Sequence, residues 1–142
     1  MVFSTTPHDE QLRSWLTLPK TIAVIGLSPK PDRPSHRVAR YLLAQGFTVV
    51  PVNPGQATIL DRVCFPDVTA VPGQVDIACV FRKSDQVLPI MQQAITKGVA
   101  LVWMQLGIVN EKAAVLARQH GIAVVMDRCL KVEHQRLFPS CF

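Results

Sequence analysis

The chain has 142 residues, of which 49% are hydrophobic and 18% are charged, and its formal net charge is +5 at pH 7. This length and composition predict a single globular domain over residues 1–142 and exclude a disordered chain. No apolar run approaches the roughly 18 residues of a membrane span, and the N-terminus does not have the pattern of a secretory signal. The sequence therefore predicts a cytoplasmic protein that does not enter the membrane.

Basic residues and cysteines are scattered along the chain. No block of five or six like charges occurs and aromatic residues make up only 6%, so the sequence does not favour nucleic-acid binding. Local pairs of positive charge suit a small anionic ligand. The cysteines show no Cys-x-x-Cys pair and no metal-ligand spacing, so we interpret them as reduced thiols and predict no metal site. They are Cys64, Cys79, Cys129 and Cys141.

Apolar runs alternate with helical patterns in chain order, after an N-terminal amphipathic segment that carries Leu12, Trp15 and Leu16 on one face. Strands are predicted at Thr21–Gly26, Phe47–Val52, Val75–Phe81, Val99–Met104 and Ile122–Met126, and helices at about Pro34–Gln45, Ser84–Lys97, Asn110–His120 and Leu130–Leu137. The strands are nearly continuous apolar runs, which is typical of strands buried on both faces. Right-handed crossovers then predict an α/β, three-layer Rossmann-like fold, with helices flanking a five-stranded parallel sheet of order 3-2-1-4-5.

The loop after the first strand is the most informative part of the sequence. In TIAVIGLSPKPDRPS the apolar run stops at Gly26, the loop carries Lys30 and Arg33, and a helical pattern begins at Pro34-Ser35. A buried strand that ends at a glycine and leads through a basic loop into a helix N-terminus is typical of a phosphate-binding corner.

Polar residues also follow the other predicted strands, at the edge where open α/β sheets bind their ligands. They are Asn53-Pro54-Gly55, Arg82-Lys83-Ser84, Gln105-Leu106-Gly107 and Asp127-Arg128-Cys129. An NAD-binding domain usually has three glycines in the first loop and an acidic residue after the second strand, and this chain has neither. Lys30, Arg33, Arg82 and Lys83 favour a ligand with several phosphates, and charge alone leaves coenzyme A and NADP open.

Five stretches carry a resemblance to a known family. They are IAVIGLSPKPDRPSHRVARYL, VVPVNP, VDIACVFR, VWMQLGIVNEKAAVLAR and VVMDRCLKVEH, and together they cover about residues 12–137. In these stretches the chain resembles the small stand-alone coenzyme A-binding proteins of bacteria and archaea. Their domain is similar to the coenzyme A-binding domain of the succinyl-CoA synthetase α subunit. The resemblance implies that coenzyme A or an acyl-CoA lies along the carboxyl edge of the sheet.

The resemblance also implies the residues that contact this ligand. They are Gly26, Ser28, Arg33 and Ser35 at the phosphates, Asn53 and Pro54 near the adenine-ribose end, Phe81 and Arg82 in the third loop, and Gln105, Leu106 and Gly107 nearer the pantetheine arm. Many relatives carry a lysine directly after Asn-Pro. This chain has Gly55-Gln56 there, so that phosphate contact is not carried over.

Candidates for catalysis are few. His36, in the first turn of the second helix, is interpreted as a hydrogen-bonding surface residue. Arg128 beside Cys129 offers one way to activate a thiol, but we interpret Asp127-Arg128 as an internal ion pair that ties the last strand to its neighbours. The catalytic histidine of the synthetase lies in a second domain that has no counterpart in this sequence. We therefore predict no catalytic residues.

The sequence thus predicts a non-catalytic coenzyme A or acyl-CoA binding protein that acts as a carrier or sensor. An NADP-linked oxidoreductase and a regulatory module that docks on an acyl-CoA enzyme are the alternatives. As protein partners, a second copy of the chain and a larger CoA-dependent enzyme both stay open.

Overall fold

A computed structural model describes residues 8–139 as five helices and seven strands. In chain order the elements are α1 (Asp9–Leu16), β1 (Thr21–Ile25), α2 (Pro34–Ala44), β2 (Thr48–Val52), β3 (Thr58–Ile59), β4 (Arg62–Val63), β5 (Ile77–Val80), α3 (Val87–Lys97), β6 (Leu101–Met104), α4 (Glu111–Gln119), β7 (Ala123–Val125) and α5 (Leu130–Leu137). Two 3₁₀ turns lie at Val68–Ala70 and Ser84–Gln86.

The central sheet has five parallel strands in the order β2-β1-β5-β6-β7. Every residue of β5 and β6 is buried, because parallel strands inside a doubly wound sheet are covered on both faces. β3 and β4 form a separate antiparallel hairpin. The predicted α/β class and the five-stranded parallel Rossmann-like sheet are therefore confirmed.

The predicted order 3-2-1-4-5 places the third strand at the edge of the sheet, outside the second strand. The structure places it elsewhere. This strand, β5, pairs with β1 and does not lie outside β2. A single bridge occupies the outer position instead, where Phe65 runs parallel to Val52. With that bridge counted as the third strand, the doubly wound pattern holds. The reason is burial: the wholly apolar β5 needs neighbours on both sides, whereas the polar segment after β2 supplies only short edge pairing.

Helices cover both faces of the sheet, so the molecule has three layers. On one face α1, α2 and α5 pack on a core that includes Trp103, whose indole Nε1 donates to the Arg128 carbonyl at 2.8 Å. On the other face α3 and α4 pack through small and apolar residues such as Met91 and Ala113. Leu12 and Leu16 anchor α1 in the first of these cores.

The predicted helices are found close to their expected bounds. Asn110 caps α4, because its side-chain Oδ1 accepts from the Ala113 N–H at 2.9 Å. Pro89 lies in the first turn of α3, where a missing N–H costs nothing. Within residues 8–139 no helix combines the length and the apolar character that crossing a membrane requires.

Candidate functional site

An open cleft of about 310 Å³ lies where β1 and β5 end and α2 begins. Its lining combines backbone of the first loop, two basic side chains and an aromatic ring: Gly26, Ser28, Lys30, Arg33, Pro34, Ser35 and Phe81. The cleft is thus at the carboxyl edge of the sheet, at the end of the strand where the chain reverses its winding direction. Ligands of open α/β sheets bind at this position.

Gly26 forms the corner of the cleft. Its φ is +86°, its N–H donates to the Val52 carbonyl at 2.9 Å, and an added Cβ would lie 2.3 Å from the Phe81 carbonyl oxygen. Any side chain here would therefore combine an unfavourable φ with a collision against backbone. This close approach brings the loops after β1, β2 and β5 together in one place.

Two hydrogen bonds of Ser28, one donated and one accepted, stabilise the loop between β1 and α2. The Ser28 N–H donates to the Ser35 Oγ at 2.9 Å, and the Ser28 Oγ accepts from the Lys30 N–H at 3.1 Å. Arg33 occupies the N-cap of α2, and its side chain makes no capping hydrogen bond to the N–H groups of the first turn. These N–H groups and the exposed cations Lys30 and Arg33 remain available to an anion.

His36 is buried, with 6% of its surface exposed, and its Nδ1 lies 2.9 Å from the Ser28 carbonyl oxygen. Because a carbonyl only accepts, Nδ1 is the donor. The expected hydrogen bond is present, but the expected surface position is not. Position 36 lies on the buried face of α2, so the imidazole points away from solvent. From there it holds the loop at Ser28 against α2.

Asn53 connects the first loop to the second. Its side-chain Nδ2 donates to the Leu27 carbonyl at 2.9 Å, while its Oδ1 accepts from the Gly55 N–H at 2.9 Å. Both polar atoms of the amide are therefore used within the protein. Pro54 is exposed beside it. Asn53 thus shapes the loop that carries Pro54.

The third and fourth loops differ in what they present. Phe81 lines the cleft and half-buried Arg82 lies beside Gly26, since the Arg82 Nε would be 3.2 Å from a Cβ there. Gln105 is buried, and its amide donates to the Cys79 Sγ at 3.0 Å and accepts from the Leu130 N–H at 3.4 Å. Its side chain is thus bound inside the protein.

Leu106 and Gly107 follow Gln105 in a surface turn. Leu106 is 71% exposed, and the Gly107 N–H donates to the Asp127 Oδ1 at 2.6 Å. Of the predicted site residues, the structure gathers Gly26, Ser28, Arg33, Ser35 and Phe81 around the cleft with Arg82 beside them. Asn53 holds the neighbouring loop, and the fourth-loop residues lie outside the cleft lining. The cleft also includes Lys30 and Pro34, which the basic, proline-rich loop already indicates.

The predicted Asp127–Arg128 pair is not formed. Arg128, which directly precedes the N-cap of α5, pairs at 3.2 Å with Glu133 in the first turn of that helix, while the Asp127 carboxylate accepts from the β6–α4 loop. Burial raises the pKa of the Cys79 thiol, so its reactive thiolate is disfavoured. Within residues 8–139 no three His, Cys, Asp or Glu side chains are placed to hold a metal ion.

The fold and the cleft define a doubly wound α/β domain with a cleft lined by basic residues at its carboxyl edge. Residues 20–135 match the family model described as CoA binding domain, and the chain belongs to that family. It is similar to the uncharacterized protein YneT of Bacillus subtilis, with 34% identity over 128 residues that cover 90% of this chain and 95% of YneT.

Two further comparisons extend the similarity. The ADP-forming acetate–CoA ligase II of Archaeoglobus fulgidus is 30% identical over 121 residues, which are 77% of this chain and 18% of the ligase. The structure of a hypothetical protein from Pyrococcus horikoshii superposes with a TM-score of 0.91 at 37% identity, covering 96% of this chain and 99% of that protein. The chain therefore matches small proteins along their length and larger CoA ligases along one part only.

Proposed function

We propose that this chain binds coenzyme A or an acyl-CoA along the carboxyl edge of its sheet. The observation that carries the proposal is the cleft after β1, where a glycine corner, an uncapped helix N-terminus and two exposed cations converge. A pyrophosphate needs this combination of N–H donors and positive charge. Membership in the CoA binding domain family supports the proposal.

In this proposal the residues divide by loop. The N–H groups in the first turn of α2, the Ser35 hydroxyl and the Arg33 guanidinium receive the phosphates. Gly26 and Ser28 shape the corner that borders them, and Phe81 gives the ligand an apolar wall. Arg82 adds positive charge beside the same corner. The hydrogen bond from the Ser28 N–H to the Ser35 Oγ holds the first loop against α2. The hydrogen bond from the Phe81 N–H to the Ile25 carbonyl holds the third loop beside β1.

The two outer loops are proposed to border the ends of the ligand. Asn53 holds the second loop so that Pro54 lies beside the adenosine. Gln105 supports the fourth loop from inside, and the exposed Leu106 and Gly107 are proposed to border the pantetheine arm. The protein then acts as a carrier or sensor that has no catalytic step of its own.

Calorimetric titration with coenzyme A, acetyl-CoA and NADPH tests this function directly. We expect saturable heat with the two CoA compounds and weaker binding of NADPH. Tighter binding of NADPH would favour the NADP-linked oxidoreductase instead. No saturable heat at about millimolar coenzyme A, which corresponds to a binding free energy weaker than about −4 kcal/mol, would reject the proposal.

Replacing Arg82 by alanine tests the third loop. If the guanidinium makes a charge-assisted contact, Arg82→Ala weakens coenzyme A binding by about 1–3 kcal/mol, a rise in Kd of roughly 5- to 150-fold. Arg118→Ala, which removes an exposed arginine from α4 on the other face, is the matched control and leaves the Kd unchanged. Equal Kd values for both variants and the wild type would remove Arg82 from the site.

A further inference from the structure

The exposed face of α2 carries a row of arginines. Arg33, Arg37 and Arg40 are all exposed and follow one another at i, i+4 and i+7, so they lie on one side of the helix along about 10 Å. The opposite side of α2 packs on the core through Val38 and Leu42. We call Arg33, Arg37 and Arg40 the basic face of α2.

No carboxylate neutralises the basic face of α2 among the described residues. The ion pairs within residues 8–139 join Arg128 and Arg136 to Glu133 and Asp9, and none includes an arginine of α2. The helix sequence PSHRVARYLLA contains no acidic residue. Three positive charges are thus presented to solvent together.

The charge of α2 also runs against its helix dipole. Arg33 and Arg37 lie at and just after the N-terminus, where a positive charge is unfavourable, and the last turn has no basic residue. α4 shows the favourable arrangement, with Glu111 in its first turn and Arg118 in its last. The basic face therefore does not stabilise its own helix, and its arrangement suits an external anionic surface.

The surroundings distinguish among anionic surfaces. Surfaces that bind single-stranded nucleic acid pair cations with free aromatic rings, but Tyr41, the aromatic residue of α2, packs edge-on against His134 and lies under Lys131. Amphipathic helices that bind membranes insert apolar side chains, and none of the exposed large hydrophobic residues lies on α2. Purely electrostatic membrane sites use about four to eight Lys and Arg residues, more than the basic face of α2 supplies. Protein carboxylates need neither feature, because each can pair directly with an arginine fork.

We propose that the basic face of α2 docks an acidic face of another protein, one that presents carboxylates at the spacing of successive helical turns. Regularly spaced arginines on a rigid helix match carboxylates at i, i+4 and i+7 on a partner helix. The face begins at Arg33, at the rim of the cleft, so the partner lies beside the proposed ligand site. The docking does not depend on which ligand occupies that site.

A synthetic alanine-based helical peptide with glutamates at i, i+4, i+7 and i+11 is the test ligand. Its isomer with the same glutamates spread around the helix is the comparison peptide, and fluorescence anisotropy at low and high salt gives each Kd. The double variant R37E/R40E reverses the part of the basic face that lies outside the cleft. K112E/R118E reverses two exposed cations of α4 and has the same net charge, so it is the matched control.

We expect wild type and K112E/R118E to bind the aligned peptide more tightly than its isomer, with affinity that falls as salt rises. R37E/R40E is expected to lose at least about tenfold in affinity for the aligned peptide. An equal loss in both variants, equal binding of the two peptides, or no binding by wild type would overturn the proposal. Preferential binding of a single-stranded oligonucleotide or of phosphatidylserine vesicles through Arg37 and Arg40 would overturn it as well. Coenzyme A titration of R37E/R40E reports on the ligand site separately.

Discussion

At the scale of single residues, Gly26 is a position of the site where substitution is strongly restricted. It combines a φ of +86° with a backbone carbonyl 2.3 Å from the position of an added Cβ. Gly121 has a similar φ of +74°, but within residues 8–139 no atom outside its chain neighbours lies within 4 Å of the position of an added Cβ. Comparing alanine variants at the two positions therefore distinguishes the energetic cost of an unfavourable φ from the cost of a steric collision.

Gly26→Ala is predicted to lower the free energy of unfolding by about 3 kcal/mol or more, because strain and collision act together. Gly121→Ala is predicted to cost only about 1 kcal/mol, since it has the φ penalty alone. Urea unfolding of both variants measures the difference. Equal losses would mean that the Phe81 backbone moves aside freely, contrary to the tight corner described above.

Several site residues could be predicted from the sequence because their roles are local. Gly26, Ser28 and Ser35 belong to one strand–loop–helix unit, and the chain itself brings them within reach of one another. Gln105 and His36 are different, because their burial depends on contacts with distant residues or with the sheet below. Gln105 meets Cys79 and Leu130, each about 25 positions away in the chain, and no local pattern indicates such contacts.

At the scale of elements, α2 and α4 have opposite charge arrangements relative to their dipoles. Arg37 lies near the N-terminus of α2, and Arg118 lies in the last turn of α4. Both arginines are exposed, so screening keeps each effect small.

Reversing these charges should therefore change stability in opposite directions. Arg37→Glu is predicted to raise the free energy of unfolding by about 0.5 kcal/mol, and Arg118→Glu to lower it by about the same amount. Thermal unfolding at low salt, repeated at high salt where the two effects shrink, gives the measurement. A loss of stability in Arg37→Glu would show that the arginine stabilises α2, and would weaken the case for an external partner.

Helix α5 is fastened to α2 by a buried histidine. The Tyr41 hydroxyl and the His134 Nδ1 are 2.6 Å apart, and Phe47 and Phe138 pack on the imidazole ring. Burial lowers the pKa of His134 and raises the pKa of Tyr41. Tyr41 is therefore the donor and the neutral imidazole is the acceptor. The cation of Lys131 lies 5.7 Å from the centre of the Tyr41 ring.

This cluster predicts a pH dependence of stability. The unfolded chain takes up a proton on His134 near pH 6.5, whereas the folded protein does so only at lower pH, so the free energy of unfolding falls as pH decreases from about 7 to about 5. His134→Gln should reduce this slope, and His120→Gln, which changes an exposed histidine, should keep it. Asp9 does not interfere, because Arg136 lowers the pKa of its carboxyl below 3.8 and its contribution is lost only in stronger acid. Urea unfolding of each variant at several pH values between about 5 and 7 measures this dependence. If the free energy of unfolding of His134→Gln falls with pH as steeply as that of the wild type, the prediction is contradicted.

At the scale of the whole molecule, the proposed ligand contacts the loops after four separate strands that only the folded sheet brings together. Binding is therefore coupled to global stability. At a coenzyme A concentration of about 100 times Kd, the free energy of unfolding should rise by about 2.7 kcal/mol, which corresponds to a rise in Tm of roughly 5–10 °C for a domain of this size. Thermal unfolding with and without the ligand measures it, with Arg82→Ala at the same concentration as the control for weakened binding. No rise in the wild type would count against the proposed function.

The sequence by itself was sufficient to determine the five strands of the central sheet with the helices between them, the α/β class and the glycine corner after β1, because each depends on residues close together in the chain. Only the tertiary structure decided that β5 lies beside β1, that Arg128 pairs with Glu133, and that Gln105 points into the core. These features depend on which distant segments compete for the same buried position, and that competition is settled by packing of the complete sheet and its helices.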